Sequence, residues 1–317
     1  MDVVTLGETM VLFTPESSSL IKYSHTFSRK FGGAETNVAI GLTRLGHQAG
    51  WISRVGKDEF GKAMLAFVRG EGVDVSQVKT DETAPTGLYF KEVRSGDNVK
   101  VQYYRKGSAA SQMTPDDIDE SYIKKAKYLH ITGITPALSD SCYETVLRAV
   151  NIAKENNIKV IFDPNLRKKL WSEEKARRVL LELAGLSDII LPGFEEGKFM
   201  FDEKDPEKLG ELFLKEGASV VILKDGPRGA YYFTKDAHAL VPGFPMKTVV
   251  DPVGAGDGFA AGFISGLLDE LPLNEAVRRA NAVGALATQV EGDFEGLADR
   301  EELERLMAGT DGDDVDR

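Results

Sequence analysis

The sequence predicts an α/β fold: a mainly parallel sheet with helices between its strands, and a small antiparallel flap beside it. Three observations carry this. Short β-rich apolar runs alternate with amphipathic segments over most of the chain, three further strand-like runs follow without helices between them, and 317 residues suffice to bury one large core. The alternating strands fall at 3–7, 50–55, 128–132, 159–163, 188–191 and 220–224. Helical periodicity falls between them at 36–45, 59–69, 140–156, 173–184 and 206–215. Strands joined by helices of this length require right-handed crossovers and therefore pair in parallel. Ligands of such sheets bind outside the carboxyl ends of the strands.

The runs at 10–14, 87–93 and 99–105 lack crossovers, and Ser95-Gly96-Asp97-Asn98 reads as a hairpin turn joining the last two. They form the flap. Beyond Val241 the pattern becomes helical, at 256–268, 273–290 and 300–307. The expected organisation is a single domain over 1–308, with flap strands within about 10–30 and 87–106, and an acidic, solvated tail over 309–317.

Composition excludes several classes. With 39 Lys+Arg against 50 Asp+Glu the net charge is −11, which repels phosphate backbones and anionic lipid; neither nucleic acid nor membrane is an expected partner. Hydrophobic residues at 42% and charged residues at 28% are those of a soluble globular chain. Cys142 stands alone, so no disulfide within the chain and no cysteine zinc cluster can form. The histidines, His25, His47, His130 and His238, lack metal-ligand spacing. Glu8 interrupts the first apolar stretch, which also lacks a basic flank, so it does not read as a signal peptide; with no apolar run of membrane-spanning length, the expectation is a cytoplasmic protein.

The most informative stretch is Asp251-Pro252-Val253-Gly254-Ala255-Gly256-Asp257, at the start of a helix. Its glycines let bare backbone approach a ligand, and a helix N-terminus offers free N–H groups and partial positive charge to a phosphate. Asp257 is then placed to accept the proton of an attacking hydroxyl, although a first-turn carboxylate is expected to have its pKa lowered. Taken alone, the stretch also fits a tight turn with a favoured first-turn acid, and lone motifs of this kind are weak. Two rival phosphate motifs fail. Gly56 to Lys62 nearly spells a P-loop, but Ala63 stands where a Ser or Thr must hold magnesium, and Phe259 occupies the third glycine of a dinucleotide fingerprint.

The 251–264 stretch resembles the C-terminal signature of the ribokinase-like (phosphofructokinase-B type) carbohydrate kinases. Gly32-Gly33-Ala34-Glu35-Thr36-Asn37-Val38-Ala39, followed by Gly46 and Gly56, resembles their N-terminal signature, departing at Glu35, where most members carry a small residue. The resemblance runs from about Val4 to Met307. It implies a ribokinase-like three-layer α/β/α domain whose flap is a β-lid over the sugar, with ATP and Mg2+ as cofactors. It makes Asp257 the base and Gly254, Ala255 and Gly256 the anion hole.

Within that resemblance, Lys224-Asp225-Gly226-Pro227-Arg228-Gly229 matches a turn lining the ATP site, carrying over Lys224, Gly226 and Gly229; read by itself it is a β-turn after a strand. Asn281 matches a position beside adenine, and Asn165 is also placed with the nucleotide. Glu196 matches the acid that acts on hydrated magnesium through water, while Gly193 replaces the usual Asn.

Alternation along a strand puts Tyr103 and Arg105 on one face, and Tyr89 on the neighbouring strand can join them; Arg167 lies beyond a strand's carboxyl end. Two arginines and two tyrosines around one pocket suit a carboxylate. Tyr103-Tyr104-Arg105 with Asp163-Pro164-Asn165-Leu166-Arg167 resembles the 2-keto-3-deoxygluconate kinase branch, which implies a sugar-acid substrate bound by Gly33, Ala34, Asn37, Tyr89, Tyr103, Arg105, Ile134, Arg167 and Asp293. A neutral-sugar kinase shares Asn37 and Asp257 but has less need of paired arginines. His130 and Cys142 read as packing residues. Leu12, Phe13, Phe27 and Phe90 suggest a homo-oligomer formed through the lid.

Overall fold

The computed structural model describes residues 1–16, 20–93, 99–246 and 248–309. Its strands are β1 (Val3–Leu6), β2 (Met10–Pro15), β3 (Phe27–Gly32), β4 (Ala49–Gly56), β5 (Asp74–Asp81), β6 (Leu88–Val93), β7 (Val99–Tyr104), β8 (Tyr128–Thr132), β9 (Lys159–Asp163), β10 (Ile189–Ile190), β11 (Val220–Lys224), β12 (Gly229–Phe233) and β13 (His238–Pro242). The helices are α1 (Ala34–Arg44), α2 (Glu59–Gly70), α3 (Glu120–Ile123), α4 (Thr135–Leu138), α5 (Asp140–Glu155), α6 (Glu173–Leu186), α7 (Phe194–Phe201), α8 (Pro206–Glu216), α9 (Ala255–Leu268), α10 (Leu273–Ala287) and α11 (Arg300–Ala308).

The large sheet runs β13-β12-β11-β10-β9-β8-β1-β4-β5, parallel from β11 to β5 and antiparallel at the β12–β13 edge. Period-2 alternation divides its side chains between two cores. Val3, Trp51, Ile161 and Ile222 face α1, α2, α9 and α10, whereas Val4, Ile52, Phe162 and Leu223 face α5, α6 and α8. This is the three-layer arrangement. Fully buried side chains such as Trp51, Phe162 and Phe213 each contribute roughly 1.5–3 kcal/mol of burial, and Trp51 Nε1 donates to the Gly7 carbonyl at 3.0 Å.

The lid is a second sheet, β3-β2-β6-β7. Its outer pairs are antiparallel, but β2 and β6 lie parallel, because each leaves the large domain in the same direction. The lid phenylalanines Phe13, Phe27 and Phe90 pack against one another and remain half-buried. Phe90 contacts Phe13, Phe27 and Tyr104, while Leu12 is fully buried with Met10 and Tyr89.

Several elements carry no sequence signal of their own. β5 is a largely solvent-facing edge with Asp, Ser, Gln, Lys and Thr among its residues, and α7 begins directly after Pro192-Gly193. β3 is half-exposed. α10 ends at Ala287, short of 290, where the Thr288 hydroxyl bonds the Ala285 carbonyl. The 95–98 turn and the tail beyond Gly309 lie outside the described residues.

Candidate active site

β1 is first in the chain yet central in the sheet; β4 and β5 extend one side and β8 to β11 the other. The strand order therefore reverses between β1 and β8, and connections diverge there to leave a crevice at the carboxyl ends. A cleft of about 500 Å3 opens at this point, within the size range of small-molecule sites.

The large domain supplies Glu8 after β1, Ile134 after β8, Asp163, Asn165 and Arg167 at the end of β9, Glu196 on α7, and Lys224 at the end of β11. Gly33, Ala34 and Asn37 come from the start of α1, and Gly254, Gly256 and Asp257 from the start of α9. Tyr89, Lys91, Tyr103 and Arg105 descend from the lid, and Asp293 completes the wall. Sequence and structure thus converge on one place. Ala255, Gly226, Gly229 and Asn281 do not line this cleft. Asn281 is instead buried, its amide donating to the Val241 and Pro242 carbonyls at 3.0 and 3.1 Å. Gly226 and Gly229 adopt φ of 55° and 109°, which explains their identity by backbone conformation.

At the head of α9, Gly254 has φ 83°, and a Cβ there would lie 2.1 Å from the Asp293 carbonyl oxygen. A Cβ on Gly256 would meet nothing within 4 Å, so its backbone faces open space. Asp257, in the first turn, accepts a hydrogen bond from Asn37 Nδ2 at 2.8 Å. Burial pushes its carboxyl up from the ordinary 3.8 to about 7; the Asn37 bond and Arg167 oppose this, while Asp163 and Glu35 add to it. The expectation of a lowered pKa at a helix N-terminus is therefore corrected. Desolvation beside other acids outweighs the helix end, leaving a carboxylate poised near neutral pH, as a general base requires.

Glu35, the departure from the family pattern, is fully buried. It fits because Thr132 and Thr135 hydroxyls donate to Oε1 at 2.7 and 2.9 Å and because residue 7 is glycine, whose absent Cβ would overlap the carboxyl. Burial raises its pKa.

Lys224 Nζ bonds Asp163 Oδ2 at 2.6 Å. Burial would lower the lysine's pKa, but Asp163 and Glu196 outweigh it and hold the ammonium charged. Glu196 accepts from Gly193 N at 2.7 Å and Leu166 N at 2.8 Å, capping α7; burial and Asp163 raise its pKa. Asn165 sits at φ 36° with its N–H on Asp163 Oδ1.

The two arginines differ. Arg105 is buried and forks onto Glu8 Oε2 through Nε at 2.7 Å and Nη2 at 2.6 Å, with its guanidinium over the Tyr103 ring. Ser108 holds the other Glu8 oxygen. Both arginines expected around the pocket line the cleft, but much of Arg105's charge is answered by a carboxylate already in place. Arg167 is exposed and, among the described residues, makes no salt bridge. Asp293 is likewise engaged, accepting from the Tyr89 hydroxyl and from Lys91 Nζ. Glu8 and Lys91 were not among the expected site residues, and Asp163 was noted only within its motif, with no role of its own. Glu8 was visible only as a charge inside an apolar stretch, and Lys91 gave no signal.

His130 and Cys142 are buried packing residues; burial takes the imidazole down to about 4 and the thiol up to about 11.

A glycine-backed helix end, an aspartate near neutral pKa and a lysine at a strand's carboxyl end, roofed by a lid, define a phosphoryl-transfer enzyme of the α/β class. The chain belongs to the pfkB family of carbohydrate kinases, whose model matches residues 1–299, and it is an ATP-dependent sugar kinase. It is 43% identical over 311 residues to 2-dehydro-3-deoxygluconokinase of Bacillus subtilis (strain 168), covering 97% of this chain and 96% of that one. The 2-dehydro-3-deoxygluconokinase of Thermotoga maritima superposes with a TM-score of 0.90 at 27% identity, covering 98% of each chain. An E. coli protein described as a candidate ribokinase II, solved with ATP and Mg2+, superposes at 0.90 with 29% identity over 97% of this chain and 99% of that one. Among the described residues, no helix is long and apolar enough to cross a membrane.

Proposed function

We propose that this kinase transfers the γ-phosphoryl group of ATP to the terminal (6-) hydroxyl of 2-dehydro-3-deoxygluconate. The observation that carries the substrate assignment is charge pairing within the cleft. Lys91 faces Asp251 and Asp293, Arg105 faces Glu8, and Lys224 faces Asp163, so among the described residues Arg167 is the lining cation left to meet a substrate carboxylate. Arg105 assists with the N–H groups that Glu8 does not take, and the stacked rings of Tyr89 and Tyr103 cover the sugar. The B. subtilis relative's name supports the same substrate.

Asp257 takes the hydroxyl proton as the sugar oxygen bonds to the γ-phosphorus and ADP leaves. Asn37 orients the carboxylate. The Gly254–Gly256 amides steady the transferring group, and one such donor is worth about 3–4 kcal/mol in a preorganised site. Lys224, Gly226, Gly229, Asn165 and Asn281 serve the nucleotide side. For magnesium, the acidic side chains of Glu196 and Asp163 lie close to each other on the cleft wall, a donor set that suits a hydrated ion. Glu196, with Asp163 beside it, would hold the hydrated ion, which when bound neutralises phosphate charge. Self-association through the lid would rest on Tyr23 and Tyr104, 64% and 55% exposed.

A kinase assay on 2-dehydro-3-deoxygluconate, fructose and ribose, with the product's phosphate position read by NMR, tests the proposal. A higher kcat/KM on either neutral sugar overturns the carboxylate argument. Absence of turnover on all three, with ligand binding retained, would favour a sugar-acid sensor.

A further inference from the structure

Lys91 is among the largest fully buried side chains of the protein, at 1% exposure. It is a lid residue, on β6, two positions after Tyr89. Its Nζ reaches Asp251 Oδ2 at 2.7 Å and Asp293 Oδ1 at 2.9 Å. Burial would lower its pKa, yet the two carboxylates outweigh that cost and keep it charged.

One carboxylate belongs to the glycine loop assigned as the anion hole and the other to the segment packed against that loop. Asp251 opens the glycine loop, fixes it through Val253 N on Oδ1 at 3.0 Å, and reaches across to Gly292 N through Oδ2 at 3.1 Å. Asp293 lends its backbone carbonyl as the wall against which Gly254 packs. A second lid residue, Lys30 on β3, bonds the Glu291 carbonyl at 2.9 Å and Glu295 at 3.2 Å, so the lid grips the same segment twice. Without a cation between them, two buried carboxylates would repel, and each backbone segment carrying them would shift.

We propose that Lys91 is a positioning residue: an ammonium carried by the lid that locks the glycine loop and the 291–295 segment together, so that the anion hole is shaped only while the lid strand is seated. Lid placement by sugar and alignment of the phosphoryl-transfer loop then become one event, which restrains turnover of ATP on water. This rests on the assignment of the Gly254–Gly256 loop to the transferring phosphoryl group.

The test uses the full chain in three variants: Lys91→Ala, Lys91→Arg and the paired Lys91→Met with Asp251→Asn. With 2-dehydro-3-deoxygluconate and ATP saturating, kcat of Lys91→Ala should fall about tenfold or more with KM for ATP altered less than about threefold. Ethylammonium, which can occupy the vacated stem and restore the charge, should recover kcat about fivefold in Lys91→Ala while leaving the wild type and Asp257→Asn unaffected. Lys91→Arg should retain more turnover than Lys91→Ala. The paired variant removes a cation and an anion together, so it should fold even where Lys91→Ala does not, and it should stay slow. Wild-type kcat in a folded Lys91→Ala or in the paired variant overturns the proposal, as does a loss that neither ethylammonium nor Arg reverses and that follows Tm alone. Asp257→Asn separates the two failures. If it keeps its turnover, the site assignment itself falls; if it loses turnover while the Lys91 variants do not, only the lock falls.

Discussion

Replacing Asp257 by Asn tests stability and catalysis through one number. Its carboxyl is raised from 3.8 to about 7, so between those values the folded state holds a proton that the unfolded chain has released. Stability therefore falls as pH rises from about 4 through about 7, and above that range the native state carries a strained, ionised carboxylate. The gap corresponds to about 4 kcal/mol, which the solvent reaching the open cleft reduces to roughly 2 kcal/mol. Asp257→Asn removes that penalty. Urea denaturation should show the variant more stable than wild type by roughly 2 kcal/mol at pH 8 and nearly equal to it at pH 4. Turnover should meanwhile drop by two or more orders of magnitude, with sugar-acid and ATP binding retained by calorimetry. Equal stabilities at both pH values would refute the burial argument, and near-normal turnover would remove Asp257 from the chemistry.

Three further outcomes follow from the same geometry. Asn37→Ala removes the hydrogen bond that favours ionised Asp257, so the acidic limb of the kcat/KM–pH profile should move to higher pH; an unmoved limb would mean the two side chains do not communicate. Arg167→Leu should raise KM for the sugar acid about tenfold to a hundredfold and leave KM for ATP nearly unchanged, with equal effects on both contradicting its assignment. Gly254→Ala places a methyl against the Asp293 carbonyl at positive φ, so kcat should fall and the melting temperature drop by several degrees, at a cost of about 1–3 kcal/mol; wild-type values would mean the loop is not held as described.

Much of this protein was legible in one dimension because its signals are local. Alternating apolar runs define strands whose inward faces must be covered, so β1, β8, β9 and β11 were readable to within a residue. The Gly254–Asp257 stretch announces itself because positive φ and a helix start restrict residue types at fixed spacing. Edge strand β5 and helix α7 stayed hidden, since one has little apolar face and the other begins after a proline-glycine pair. Sequence also determined that Asp257, Asn37, Arg167 and Lys224 are candidates, but not which partners each meets or what charge the ionisable ones present. That was decided by tertiary contact alone. Residues 97 positions apart pair as Glu8 and Arg105, and residues 160 apart pair as Lys91 and Asp251. Coulomb energy and desolvation depend on distance and burial in space, which sequence order does not encode. Only the folded chain pairs one arginine with a buried carboxylate and leaves the other, among the described residues, without a salt bridge.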